Sequence, residues 1–249
     1  MNSLRRTLHI FWRDFSAYFW SPAAYVTIFG FLFLNGLVLN FELGPRRANG
    51  DVDIALRSLF GNFFFWLLIL TVPPLVTMRL IAEERRSGTI ELLMTAPVRA
   101  GEVILGKYAA AFLFTAFVWS LLLVDIGLLA ARVSLDWGKI AAIYVGILGL
   151  EAFFLSLGLL ASAMSRNQVV AAVFGLGLNL LVFFVGLYHN LFRADEYEAL
   201  IWSYLSVISH FVRDFAIGVV DCRYLALYAI FTVASFVVAT WTLEARKWR

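Results

Sequence analysis

Acidic and basic side chains able to do chemistry in or beside the apolar runs of this 249-residue chain are few, and they stand far apart. Asp125 and Glu151 fall inside long apolar runs, and His189 and His210 belong to later segments. An intramembrane enzyme would have to draw on these four. They occupy different segments at different depths, with no nucleophile motif beside them, so catalysis on this chain is not expected. The single Cys222 cannot close an internal disulfide. The three histidines are too scattered for a Cys/His cluster of zinc-like spacing. Gly101-EVIL-Gly106-Lys107 fits the start of the phosphate-binding pattern GxxxxGK[ST], but Tyr108 stands where the magnesium-ligating hydroxyl belongs. No strand precedes it and an apolar span comes after it, so neither cofactor nor metal is expected on this chain.

The two intramembrane carboxylates need a reason, because a charge in lipid is costly and usually faces a bundle interior or water. At about 1.5 Å per residue, Asp125 lies roughly 10 Å below the outer end of its run and Glu151 lies nearer the middle of its own. They could form a polar feature of a translocation route or a proton-linked site. The alternative is hydrogen bonding to neighbouring helices, with Asp125 reaching toward Arg132. The second reading is preferred, since no second cation sits in the same runs. Asn35, Asn62 and Asn179 read as interhelical glue, with Asn179 also a candidate for the translocation route. Gly175, Gly177 and Gly186 would permit close backbone approach.

The elements that must position these groups are membrane helices. Hydrophobic residues make up 62% of the chain and charged residues 15%, against about 45–50% and about 25% in soluble domains. The mean hydropathy is +0.84. A bilayer core needs roughly twenty apolar residues per helix, and six runs qualify: 23–41, 60–78, 108–131, 140–164, 169–188 and 223–243. The segment 197–220 is also apolar, but His210, Arg213 and Asp214 sit near its centre. It reads as one or two short helices that lie at the outer face or re-enter it. With both termini inside, twelve of the 20 lysines and arginines fall on the cytoplasmic side, the bias expected of a positive-inside topology. The basic excess therefore does not imply nucleic acid.

Before the first run, Leu4, Leu8, Phe11, Trp12, Phe15, Tyr18 and Phe19 recur at helical spacing, with Arg5, Arg6, His9 and Arg13 mostly opposite. Residues 1–22 are expected to form an interfacial helix, its apolar face toward the acyl boundary and its arginines toward lipid headgroups. Pro22 ends it.

The longest internal loop, 79–107, carries dense charge in Glu83, Glu84, Arg85 and Arg86, a break at Ser87-Gly88, and then Thr89-IELLM before Pro97. Thr89 suits an N-cap and Glu91 a first helical turn. The apolar stripe of Ile90, Leu93 and Met94 wants either a protein partner or the bilayer surface; the residues alone leave both open. The string EERRSGTIELLMTAPV over 83–98 closely resembles the cytoplasmic loop of ABC-2 type transporter permeases, most like the gliding-motility-associated branch. Ser21-PAAYV, Met78-Arg79, Gly106-Lys107, Ser206-VISHF and Leu243-EARKW extend the resemblance along the chain.

That resemblance implies an all-α, single permease domain of six spans with an interfacial leader. It also implies a coupling helix between spans two and three that docks on a separate cytoplasmic ABC ATPase. Glu83, Glu84, Arg85, Arg86, Gly88, Thr89 and Glu91 would lie at or near that contact. ATP and magnesium would be bound by two copies of the partner. A second permease chain, identical or related, would complete the complex in the bacterial inner membrane, and an extracytoplasmic accessory protein is conceivable. Export of a substrate is the leading expectation. A scaffold that uses ATPase motion to drive extracytoplasmic machinery is the alternative.

Overall fold

A computed structural model describes residues 3–46, 60–89, 99–130, 135–191 and 202–245. Its regular elements are all helical: α1 (Ser3–Trp20), α2 (Pro22–Arg46), α3 (Phe63–Thr77), α4 (Ala82–Arg86), α5 (Ala100–Ala130), α6 (Trp137–Met164), α7 (Gln168–Leu191), α8 (Val207–Arg213) and α9 (Cys222–Glu244), with a 3-10 turn at Phe215–Ile217. Five stretches are helical, long and apolar enough to cross a membrane. They correspond to α3 with α4, then α5, α6, α7 and α9. A sixth is reached if α1 and α2, which meet at a bend of 66°, count as one broken span. The bend falls at Ser21, where Pro22 opens α2 in the position that tolerates a missing N–H.

The helix α6 is the central post. It packs against α3, α5, α7 and α9, and Leu150, Phe154, Leu155 and Leu159 on it are fully buried. Two tyrosine hydroxyls join it to α5: Tyr108 donates to the Ala152 carbonyl at 2.8 Å and Tyr144 to the Ala116 carbonyl at 3.0 Å. Small residues let other elements come close. A methyl group on Gly158 would meet the Thr77 hydroxyl of α3. Gly175 of α7 lies against Gly158, Ala161 and Pro74, and Gly186 lies against Ser206. Gly177, expected to share that role, has open space around it.

The prolines in α3 set its shape. Pro73 and Pro74 carry no N–H, so the carbonyls one turn earlier lose their usual donors. Asn179 of α7 supplies one replacement, its side-chain amide donating to the Leu70 carbonyl at 3.2 Å. Neighbouring helices commonly re-satisfy backbone freed by proline in membranes. The chain then turns after Thr77 and restarts as the short α4.

Two features differ from the sequence expectation. The third apolar helix begins at Ala100 rather than near 108, so Gly101–Lys107 forms helical turns and not loop. Glu102 accepts from the Arg99 N–H at 3.2 Å, which favours an early start. The leader α1 does not put its whole apolar stripe into lipid. Ile10 is buried, Phe15, Tyr18 and Phe19 pack on the core, and Leu4, Leu8 and Trp12 stay exposed. Its backbone lies so close to α5 that a side chain on Gly106 would meet the Thr7 carbonyl at 3.0 Å.

At the opposite end, α8 and the 3-10 turn dip into the bundle rather than resting on it. Phe211 and Phe215 are fully buried. Phe211 lies within 6.0 Å, ring to ring, of Phe60, Phe65 and Trp66. Phe215 occupies the space that a side chain at Gly146 would need. Gly218 closes this segment at φ +97°, beside the Lys139 side chain, in a backbone region where a Cβ is strained.

Candidate functional site

The short helix α4 carries four consecutive charges and meets three other elements. On one side, Ser162 near the end of α6 accepts from the backbone N–H groups of Ile81 and Ala82, both at 3.1 Å. These are orphan donors at a helix start, and one hydroxyl satisfies two of them. Arg85 donates to the Ser165 carbonyl at 3.2 Å. The turn between α3 and α4 is thereby fastened to the end of the central post.

On the other side, Glu84 binds α1 and α5 together. Its Oε1 accepts from Arg13 Nη2 at 3.0 Å and from Lys107 Nζ at 2.8 Å. The same Lys107 donates to Asp14 Oδ2 at 2.9 Å, and Asp14 Oδ1 accepts from Arg13 Nε at 2.7 Å. Two acids and two bases thus close a ring spanning three helices. The Lys107 side chain is only 4% exposed. Buried ions of this kind persist only when paired and hydrogen-bonded. The Asp14 carboxylate, and Glu84 behind it, hold the Arg13 guanidinium even further above neutrality than usual. Nearby, Arg79 donates to Ser21 Oγ at 2.9 Å. Tyr18 donates to the Val76 carbonyl at 3.1 Å, and burial raises its phenol pKa.

The end of α4 is closed locally. Gly88 adopts φ +74°, as expected of a residue just past a helix terminus. The Thr89 hydroxyl turns back to the Glu84 carbonyl at 3.3 Å and lies 2.9 Å from Ser87 Oγ. Thr89 is itself helical, and its hydroxyl helps to close the end of α4. Glu83, Arg86, Ser87, Gly88 and Thr89 are all exposed. Glu91, with Ile90, Leu93 and Met94, lies outside the described residues.

The intramembrane polar residues form separate sites. Glu151 is fully buried and accepts from Trp119 Nε1 at 2.5 Å. Trp119 itself lies 4.8 Å from the Phe31 ring, edge to face. Asp125 is half-buried farther along α5, so Trp119 rather than Asp125 holds Glu151; Arg132 lies outside the described residues. Asn35 bonds within its own helix, to the Phe31 carbonyl. Asn62 caps α3. Asn179 bonds to another helix, its side-chain amide donating to the Leu70 carbonyl of α3.

The profile of the ABC-2 type transporter membrane family matches residues 2–219. The chain belongs to this family. Curated proteins, searched separately, yielded no match. ABC-2 membrane chains are the permease subunits of ABC transporters, are generally not catalytic themselves, and normally work with an ABC ATPase. Membership and the apolar helices make this ABC-2 chain an integral, multi-pass membrane protein. The match runs from α1 through the α4 junction to the buried turn after α8.

Two members of the junction in this ABC-2 chain are not identified by sequence reasoning. Asp14 sits on the polar side of α1 outside any motif, and Lys107 registers as a topology charge, in the rejected phosphate-binding pattern and in the Gly106-Lys107 pair of the resemblance, never as a partner of α1 or α4. Both are single charges bordering apolar helices, and their opposite signs are the one available signal. The sequence does not show that α1 folds back over Gly106, which brings Asp14 to Lys107 across 93 positions. Arg5 and Arg6 stay near the start of α1. Arg6 lies 3.8 Å from Glu102, Arg5 is exposed, and Phe11 stacks on Phe15.

Proposed function

We propose that this chain is the permease subunit of an ATP-driven exporter, and that the α4 junction passes the motion of a cytoplasmic ABC ATPase to the bundle. The observation that carries the reading is the ring of Arg13, Asp14, Glu84 and Lys107. A push on the exposed charges of α4 would reach α1 and α5 through the ion pairs of Glu84, and α6 through Ser162 and Ser165. Interactions that differ between two states are what an input must act on, and a closed ring of short bonds is stiff enough to transmit displacement. The break at Pro73 and Pro74 gives α3 a place to bend.

In this reading six helices cross the bacterial inner membrane with both ends and the α4 junction in the cytoplasm. The loop between the second and third spans is the coupling element, and Glu83, Glu84, Arg85, Arg86, Gly88, Thr89 and Glu91 serve the ATPase contact. Two permease chains pair and bind two ATPase subunits, which hold ATP and magnesium. The exposed apolar face of α7, with Val169, Val173, Leu181 and Phe184, suits such a second chain. The sequence string over 83–98 favours the gliding-motility-associated branch.

Co-purification with the partner ATPase tests this. Gly88→Trp and Glu84→Arg in the full chain are both expected to lose ATPase binding or permease-coupled ATP hydrolysis. Full retention of both properties by both variants would refute the coupling role.

A further inference from the structure

We infer that the end of the molecule remote from α4 carries a binding site for the phosphate of an anionic lipid headgroup, built from Arg213 and Arg223. The two ends lie about 40 Å apart, from the length of α6 at 1.5 Å per residue, since Lys139 opens that helix beside Gly218 and Ser165 closes it beside Arg85. A cavity of about 510 Å³ lies between α8 and the start of α9, lined by Ser203, Tyr204, Ser209, Arg213, Arg223 and Tyr224 among others. Two guanidinium groups and several hydroxyl-bearing side chains line it among the described residues, with the Asp214 and Asp221 carboxylates engaged by Tyr224 and Arg223. Forked N–H donors of this kind match phosphate geometry.

The walls are held from behind by a buried imidazole. His210 is fully buried, with Nε2 2.9 Å from the Tyr204 carbonyl and Nδ1 3.1 Å from the Tyr228 hydroxyl. Its ring stacks on Tyr224 at 3.8 Å. His210 therefore fixes both lining tyrosines, and Arg213 comes one helical turn later on the same helix. Asp221 engages Arg223 through Nε and Nη2, which orients the guanidinium and leaves Nη1 for a ligand. Arg213 is exposed and has no recorded ion pair among the described residues.

The face of α9 beyond Arg223 commits the occupant to a lipid. Ile230 and Val237 succeed Arg223 at seven-residue spacing, with Val233 between them, and all three are exposed. That spacing puts them on one face of the helix. A headgroup phosphate at Arg223 would leave its acyl chains along this apolar stripe. A free phosphate would use the arginines and ignore the stripe.

The full-length chain in nanodiscs of phosphatidylcholine with a minor fraction of phosphatidylglycerol provides the test, read as phosphatidylglycerol retained per protein by native mass spectrometry. Enrichment of phosphatidylglycerol is expected, reduced about tenfold by Arg213→Gln with Arg223→Gln and undisturbed by excess glycerol 3-phosphate. Arg213→Gln alone, at an exposed position with little bearing on folding, is expected to reduce it about threefold. Unchanged enrichment in both variants would overturn the site. Displacement of the lipid by glycerol 3-phosphate would overturn its assignment to lipid.

Discussion

Lys107 at the foot of α5 donates to Asp14 of α1 and to Glu84 of α4 at once, at 2.9 and 2.8 Å, with its side chain almost wholly buried. One ammonium thus joins the leader helix, the charged helix after the proline break and a membrane-crossing helix. Its position explains why α1 lies folded against the bundle instead of floating on the bilayer.

Replacing that ammonium leaves two half-buried acids, Asp14 and Glu84, sharing Arg13. Lys107→Met is expected to destabilise the fold by about 1.5–3 kcal/mol, the scale of hydrogen bonds to charged groups. Thermal unfolding in detergent measures it. A loss of the size of a surface pair, about 0–1 kcal/mol, would show that the ring is solvated.

Asn179 stands in for the donor that Pro74 lacks. Asn179→Leu is expected to cost about 1 kcal/mol, in line with hydrogen bonds between membrane helices. Pro74→Ala restores a backbone N–H, so the same asparagine substitution is expected to cost less on that background. A double-mutant cycle reads the coupling, and strictly additive losses would contradict it.

The contact of Gly158 with Thr77 is close enough that a methyl group cannot be added without movement. Gly158→Ala is expected to destabilise by about 1–3 kcal/mol, as overpacking does. Thr77→Ala on the same chain should recover much of the loss, measured by the same unfolding assay.

Burial pushes the His210 pKa down to about 4, the cost of desolvation exceeding the help of its partners and of the nearby Asp214 and Asp221. The unfolded chain, with a histidine pKa near 6.5, binds more protons than the folded one between these values. Stability from this group is therefore full above about pH 6.5 and falls as pH drops toward about 4. His210→Gln is expected to flatten that decline in the thermal midpoint. An unchanged slope would mean another group governs it.

Hydropathy makes the long helices legible, because an apolar run of about twenty residues has few other uses. The charge string of Glu83 to Arg86 marks the region where α4 forms. It cannot show partnership: Glu84 Oε1 is paired with Arg13 and Lys107, residues 71 and 23 positions away. Nor does sequence show that residues 100–107 are helical, since Gly101 and Gly106 look like loop until α1 is seen packed over Gly106. His210, Arg213 and Asp214 argue against a seventh crossing, and α8, with its 7 residues, is too short to make one. The burial of His210 between Tyr204 and Tyr228 emerges only when α8 is set against α9.

The most direct test of the coupling junction is the ATP hydrolysis rate of the partner ATPase assembled with the full chain in nanodiscs, comparing Lys107→Met with the unaltered protein. The expected result is intact ATPase binding, since Lys107 is buried away from the exposed face of α4, with permease-dependent hydrolysis reduced by at least about tenfold. Equal hydrolysis at equal binding would contradict a role for the Arg13, Asp14, Glu84 and Lys107 ring in transmission.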